Sequence, residues 1–342
     1  MTYLNRHRLI LSILLALALV FSLAACSGRD ADPPPEEPSS AAPPPSSSSP
    51  SFANPLDVPG GPEVPTVLMP EFTELLAEKH GINSDTVGWL YLPHSSIDDV
   101  VVWHDGRNGQ YNSFYERRNF EKEYYFDGIY YADFRTRWGG DGKGTRENLS
   151  RNTVIYGHSM EDIIGVRDMS LEEVNQVKPN NARNSPLMFT EFKKLLNEDF
   201  ARQNPYIFFS TRDEDMAWEI FSVQFTNISI PYITPNPTRE DPEWGPFMTR
   251  MNFPSEDASW EWLLRDAEAR SVWNYDVEVT TNDKIITMST CVYNVDDRTF
   301  SSSQNNDYRF VVMARLVEKD AVLTAEASFT KNPNPVSGLT RP

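Results

Sequence analysis

The chain has 342 residues, 39% of them hydrophobic and 12% aromatic, enough for one large domain or two small ones with a real core. Its formal net charge of -18, from 31 basic and 49 acidic side chains, argues against holding nucleic acid or an anionic membrane through a general basic surface. Only two cysteines are present, Cys26 and Cys291.

The N-terminus is unlike the rest. Arg6, His7 and Arg8 precede a run from Leu9 to Ala25 whose only polar residues are Ser12 and Ser22, the pattern of an export signal. It closes on Leu23-Ala24-Ala25-Cys26, which resembles the lipobox of bacterial lipoproteins; the resemblance implies cleavage before Cys26 and lipidation of its thiol. The run is also just long enough to cross a bilayer uncleaved, so residues 1–26 as a transmembrane anchor stay an open alternative. Either way the remainder is expected outside the membrane. Residues 27–65 read as a Pro/Ser-rich tether: 12 of the 26 prolines fall between positions 33 and 65, a composition that packs no core and stays extended. If Cys26 carries lipid, Cys291 is a thiol without a disulfide partner in an oxidising compartment. It is then either reactive or buried and inert.

Globular composition begins near Thr66. Phe72, Leu75 and Leu76 between Pro70 and Gly81 predict a short amphipathic helix. Strands follow at Val87–Pro93, Ile97–Trp103 and Gly128–Ala132. The glycine-rich stretch Gly139–Gly144 lacks the spacing of a phosphate-binding loop and reads as an exposed turn. Asn152–His158 is a strand that runs through Gly157 and leaves His158 at its mouth, and 161–184 looks like an inserted surface segment with a helical turn at Leu171–Val177. Ser185 as cap, Pro186 in the first turn and Met188, Phe192, Leu195 and Leu196 on one face predict a helix. Trp218–Phe225 alternates as a strand. Residues 231–254, with six prolines, Trp244 and Phe247, read as a long loop with an apolar underside. Trp260, Leu263, Leu264 and Ala267 predict another helix, strands at Lys284–Cys291 and Arg309–Val317 end the domain, and 321–342 reads as a flexible tail. At least seven strands and three helices without βαβ alternation make the chain mainly β with peripheral helices, a closed or nearly closed antiparallel-rich sheet.

Cys291 and His158 each end a strand and Arg309 begins one, so the three could meet at one rim of such a sheet. A thiol that attacks an amide or ester carbonyl needs a proton partner, which an imidazole supplies, and a guanidinium can stabilise the oxyanion that forms. Taken singly each is weak. Arg298 and Arg315 rival Arg309, and a lone strand-end histidine is more often structural.

The motifs together carry a resemblance. Thr287-Met288-Ser289-Thr290-Cys291 is similar to the TLxTC signature of sortases, NTVIYGH to their histidine strand, and Arg309-Phe310-Val311-Val312 to their arginine strand. DTVGWLYLP, GIYYADFRT, the run Met188–Phe225 and the helix before IITMSTC resemble class B sortases in particular. The resemblance spans roughly Leu68 to Lys319 and implies an eight-stranded β-barrel over 66–320, with a long helix between the sixth and seventh strands. It implies a cysteine transpeptidase at the bacterial cell surface, anchored by its N-terminal lipid or helix. Such an enzyme cleaves a sorting motif after threonine near the C-terminus of a secreted protein, holds the acyl group on cysteine, and passes it to an amine of a peptidoglycan precursor or a pilin. By position, Cys291 is the nucleophile, His158 the general acid and base, Arg309 the oxyanion and substrate clamp, and Ser289, Thr290 and Tyr293 line the groove. No cofactor, metal or nucleic-acid partner is expected.

Departures from the pattern are Met288 in place of leucine, the 18 positions between Cys291 and Arg309, the 161–184 insertion, and a lipobox where the family usually keeps an uncleaved helix. An extracellular cysteine hydrolase and a non-catalytic tethered peptide-binding module are the competing readings.

Overall fold

The computed structural model describes residues 66–140, 142–180, 185–296, 298–300 and 307–342. The export signal, Cys26 and the tether lie outside the described residues, as do 181–184 of the insertion and 297 and 301–306 of the segment between Cys291 and Arg309.

Eight strands close into a barrel: β1 (Thr86–Tyr91), β2 (Asp98–Trp103), β3 (Tyr130–Ala132), β4 (Asn152–Tyr156), β5 (Tyr206–Thr211), β6 (Ala217–Asn227), β7 (Ile285–Cys291) and β8 (Tyr308–Leu316). Their order round the wall is β8-β6-β5-β1-β2-β3-β4-β7, with β7 and β8 closing the ring. Pairing is antiparallel except for β2 with β3 and β4 with β7, which run parallel. Closure leaves no free edge.

Side chains alternate across the wall as the pleat requires. Ile286 and Met288 of β7, and Phe310, Val312 and Ala314 of β8, join the main core cluster. Their neighbours Ile285, Val311 and Met313 join a second cluster with the helix Glu256–Arg270. That helix is started by Ser255, whose hydroxyl accepts from the Ala258 amide at 3.1 Å. It buries Trp260, Leu263, Leu264 and Ala267 at the predicted spacing and lies between the sixth and seventh strands, as the resemblance implies. The eight-stranded β-barrel is therefore borne out.

Several local expectations change. The strand β5 was not foreseen: its six residues, YIFFST, are all buried, so it shows no alternation to read. Ser185 does not stand at the helix start; its hydroxyl donates to Asp127 Oδ1 at 2.7 Å, and the helical segment starts later, as a 3₁₀ helix over Phe189–Leu196. The 231–254 loop contains a helix, Trp244–Arg250, whose Trp244 and Phe247 are the apolar underside and pack near Trp260. The 161–180 part of the insertion is docked rather than loose: Val166 and Val174 are fully buried, and Asn197 Nδ2 donates to Val166 O at 2.9 Å and Met169 O at 2.8 Å.

Residues 321–342, read from composition as a flexible tail, carry two short strands instead. Leu323–Thr324 pairs with Thr66–Val67, and Phe329–Lys331 with Trp273–Tyr275. Beyond them Arg270 donates to Ser337 O at 2.8 Å and Thr340 O at 3.1 Å, and Asn227 Nδ2 to Thr340 O at 2.9 Å.

Candidate active site

Cys291 is the last residue of β7 and is half-buried. In the antiparallel pair with β8, Arg309 sits directly opposite it. Cross-strand partners share a face of the sheet, so the thiol and the guanidinium leave the backbone on the same side. The other arginines considered fall away: Arg315 lies opposite Ile285 at the far end of β8 and pairs with Glu219 at 2.6 Å, and Arg298 is exposed on the short hairpin Asn294–Val295/Arg298–Thr299. Arg309 itself is half-buried, with Nη1 donating to Tyr308 O at 2.8 Å.

On the other flank β4 runs parallel to β7, and the last aligned residues are Tyr156 and Ser289. His158 and Cys291 each stand two residues beyond that last pair. Past the ladder the backbone is held by other means. Thr290 Oγ1 donates to Gly157 O at 2.7 Å, and the Phe189 amide donates to His158 O at 3.0 Å. Gly157 is needed for that approach, because a Cβ there would stand 2.6 Å from the Phe189 ring. The imidazole is set by Nε2, 2.8 Å from Glu116 O. A carbonyl oxygen only accepts, so Nε2 carries the hydrogen of that bond and Nδ1 is left as the nitrogen whose proton can come and go.

The residues expected to line the groove divide. Ser289 and Thr290 are buried, at 2% and 4% exposure. The Thr290 hydroxyl is committed to Gly157 O, whereas Ser289 Oγ, on the face of Cys291, makes no hydrogen bond among the described residues. Tyr293 is exposed, just past the end of β7.

Sequence reading overlooked what stands behind His158. The 3₁₀ segment Phe189–Leu196 buries three charged side chains, Glu191, Lys193 and Lys194. Glu191 and Lys194 form an ion pair of 2.7 Å. Lys193 donates to Ser159 Oγ at 3.0 Å and Glu161 O at 3.3 Å. Burial pushes its ammonium down to about 8, partly offset by the negative charges of Asp162, Cys291 and Glu161. The signal was in the sequence only as two lysines inside an apolar run, which ordinarily means a solvated face.

Among the described residues no cluster of three or more His, Cys, Asp or Glu could hold a metal ion, and no helix is long and apolar enough to cross a membrane.

No known family model matches the chain. Two curated proteins do: Sortase B of Listeria monocytogenes, 26% identical over 252 residues, covering 73% of this chain and 76% of that protein, and Sortase B of Staphylococcus aureus, 26% identical over 249 residues, covering 73% and 75%. Among solved structures, the Staphylococcus aureus sortase B-substrate complex superposes with a TM-score of 0.50 at 23% identity, over 72% of this chain and 87% of that one, a likeness of fold. The resemblance to class B sortases read from the motifs is borne out by these relatives.

Proposed function

We propose, starting from a chain that is a class B-like sortase and so a cysteine transpeptidase in type, that it cleaves a sorting motif after threonine and transfers the acyl group through Cys291 to an amine. The observation that carries this reading is the register of β7 and β8, which sets Arg309 opposite Cys291 at the strand end nearest His158.

The Cys291 thiolate attacks the threonine carbonyl, and the carbonyl oxygen takes the negative charge. Arg309 offers fixed donors to that oxyanion in a half-buried setting where charge is poorly screened. As the C–N bond breaks, His158 gives its mobile proton to the departing amine and a thioester remains on Sγ. An incoming amine then attacks the thioester, His158 accepts its proton, and an amide forms as the thiolate leaves. Ser289 Oγ, buried on the face of Cys291, is a group that substrate backbone would satisfy, and Tyr293 offers an exposed ring to the groove. Thr290 contributes by holding Gly157.

Residues 66–320 form the catalytic domain in this reading. The partners are secreted proteins with a C-terminal sorting signal as donors, and a peptidoglycan precursor or pilin amine as acceptor. Sortases are cell-envelope enzymes, and the export signal fits attachment at the outer side of the cytoplasmic membrane through lipid on Cys26 or an uncleaved helix, with the 27–65 tether as spacer.

The test incubates the protein with labelled peptides carrying a library of sorting motifs, with and without an acceptor amine. Cleavage by wild type but not by Cys291→Ala, with product moving from acid to amide when amine is added, is the expected result. Equal background from both proteins on every motif would sink the reading.

A further inference from the structure

Lys193 is fully buried, yet the acceptors of its ammonium are the uncharged Ser159 Oγ and Glu161 O. Its neighbour Lys194 has a carboxylate in contact. Keeping a second ammonium out of water costs several kcal/mol unless something nearby rewards the charge. The 3₁₀ segment that bears it packs against β7, the nucleophile strand, and Ser159, its nearest acceptor, directly follows His158. The same segment fixes His158 O through the Phe189 amide, and the Met160 amide through Thr190 Oγ1 at 2.9 Å.

We propose that Lys193 is a positioning residue of this site, whose buried ammonium fixes the turn Ser159–Glu161 behind His158 and supplies the positive field that holds Cys291 as a thiolate. The proposal takes from the transpeptidase reading only that Cys291 is the reactive thiol. The charged groups around the pair are Asp162 and Glu161 after β4, His158 at its mouth, Arg309 on β8, and Glu191 with Lys194 on Lys193's own segment. Of these, His158 and Arg309 can add positive charge beside the thiol. Asp162 and Glu161 sustain the lysine's charge against its burial.

The measurement is the rate of Cys291 alkylation by iodoacetamide against pH, on the full chain, in wild type, Lys193→Met and Lys193→Arg. An opposite charge nearby typically moves a pKa by about one unit or more. Lys193→Met should therefore raise the midpoint of the alkylation profile by about one unit and slow labelling at pH 7 about tenfold, with the plateau rate at high pH unchanged. Lys193→Arg should restore most of the midpoint. A midpoint unmoved in Lys193→Met overturns the proposal, as does a loss of rate at every pH alike.

Should Lys193→Met not fold, Cys291→Ala reads the same coupling from the other side, since linkage is reciprocal. Its Lys193 must then titrate lower than in wild type by lysine side-chain NMR, and an unchanged titration overturns the proposal. Neither measurement needs a sorting peptide, so a failure of the transfer assay leaves this inference standing and its own failure leaves the transfer reading standing.

Discussion

The two neighbours of strand β7, which ends on Cys291, deliver their groups in different ways. On one side β8 is antiparallel to β7, and Arg309 is inside the hydrogen-bonded ladder, opposite Cys291. On the other side β4 is parallel, its ladder ends at Tyr156, and His158 lies two residues beyond the last pair. Register alone therefore places the arginine backbone. The histidine is placed by a set of separate contacts: Thr290 with Gly157, Phe189 with His158 O, and Glu116 O with the ring. A group in a ladder is as rigid as the sheet, while a group past its end is only as rigid as what holds it. The two flanks should consequently respond differently to substitution.

The largest effect is expected on the ladder side and should be purely chemical. Arg309→Lys keeps the charge and the strand but loses the planar fork. With Arg309 in its proposed role as oxyanion donor, that loss should cost about 10²–10³ in turnover. Thermal stability should hardly change, and Arg315→Lys should leave transfer near wild type; a near-normal Arg309→Lys would break the assignment of that flank.

On the histidine side stability and activity should fall together. Gly157→Ala drives a methyl into the Phe189 ring, and overpacking of this kind costs about 1–3 kcal/mol. Denaturant unfolding and kcat/KM measured on the same preparation should both drop. Full activity with unchanged stability would show that His158 does not depend on this close approach. Milder still is Thr290→Val, which keeps the shape and removes the hydrogen bond to Gly157 O, leaving a buried carbonyl short of a donor at about 1–3 kcal/mol. Its activity loss should be smaller than that of Gly157→Ala, and the reverse order would assign Thr290 a direct role in the groove.

A separate effect, on stability alone, is a pH dependence. Lys193 titrates at about 8 in the folded chain against 10.5 for an ordinary lysine. Between those values the unfolded chain binds more protons, so folding gains stability as pH rises through that window, and below about 8 the full cost of burying the charge is borne. The difference in thermal midpoint between wild type and Lys193→Met should accordingly move in favour of wild type from pH 8 to pH 10.5. A constant difference would mean that the lysine is not held down by burial.

The same contrast explains what could be read in the sequence. The places of Cys291 at the end of β7, Arg309 near the start of β8 and His158 just past β4 were legible because each lies in a recognisable run, and the helix Glu256–Arg270 because its apolar spacing is regular. The supports of His158 were not. Glu116 acts through a backbone carbonyl, to which side-chain identity is irrelevant. Ser185 has the chemistry of a helix cap, but the Asp127 carboxylate, 58 residues away in sequence, takes its hydroxyl. Lys193 looks like a surface residue until the insertion and β7 close over it. Composition suggested loose ends for 321–342, while pairing partners far along the chain supply the order.

One such pairing has a mechanical meaning. Leu323–Thr324 is zipped to Thr66–Val67, the first described residues after the proline-rich stretch. Tension entering the chain at Thr66 would meet that two-residue ladder before it reached any barrel strand. Standing ahead of the closed ring, the short ladder would take such a load before the β7–β8 register that sets Arg309 opposite Cys291.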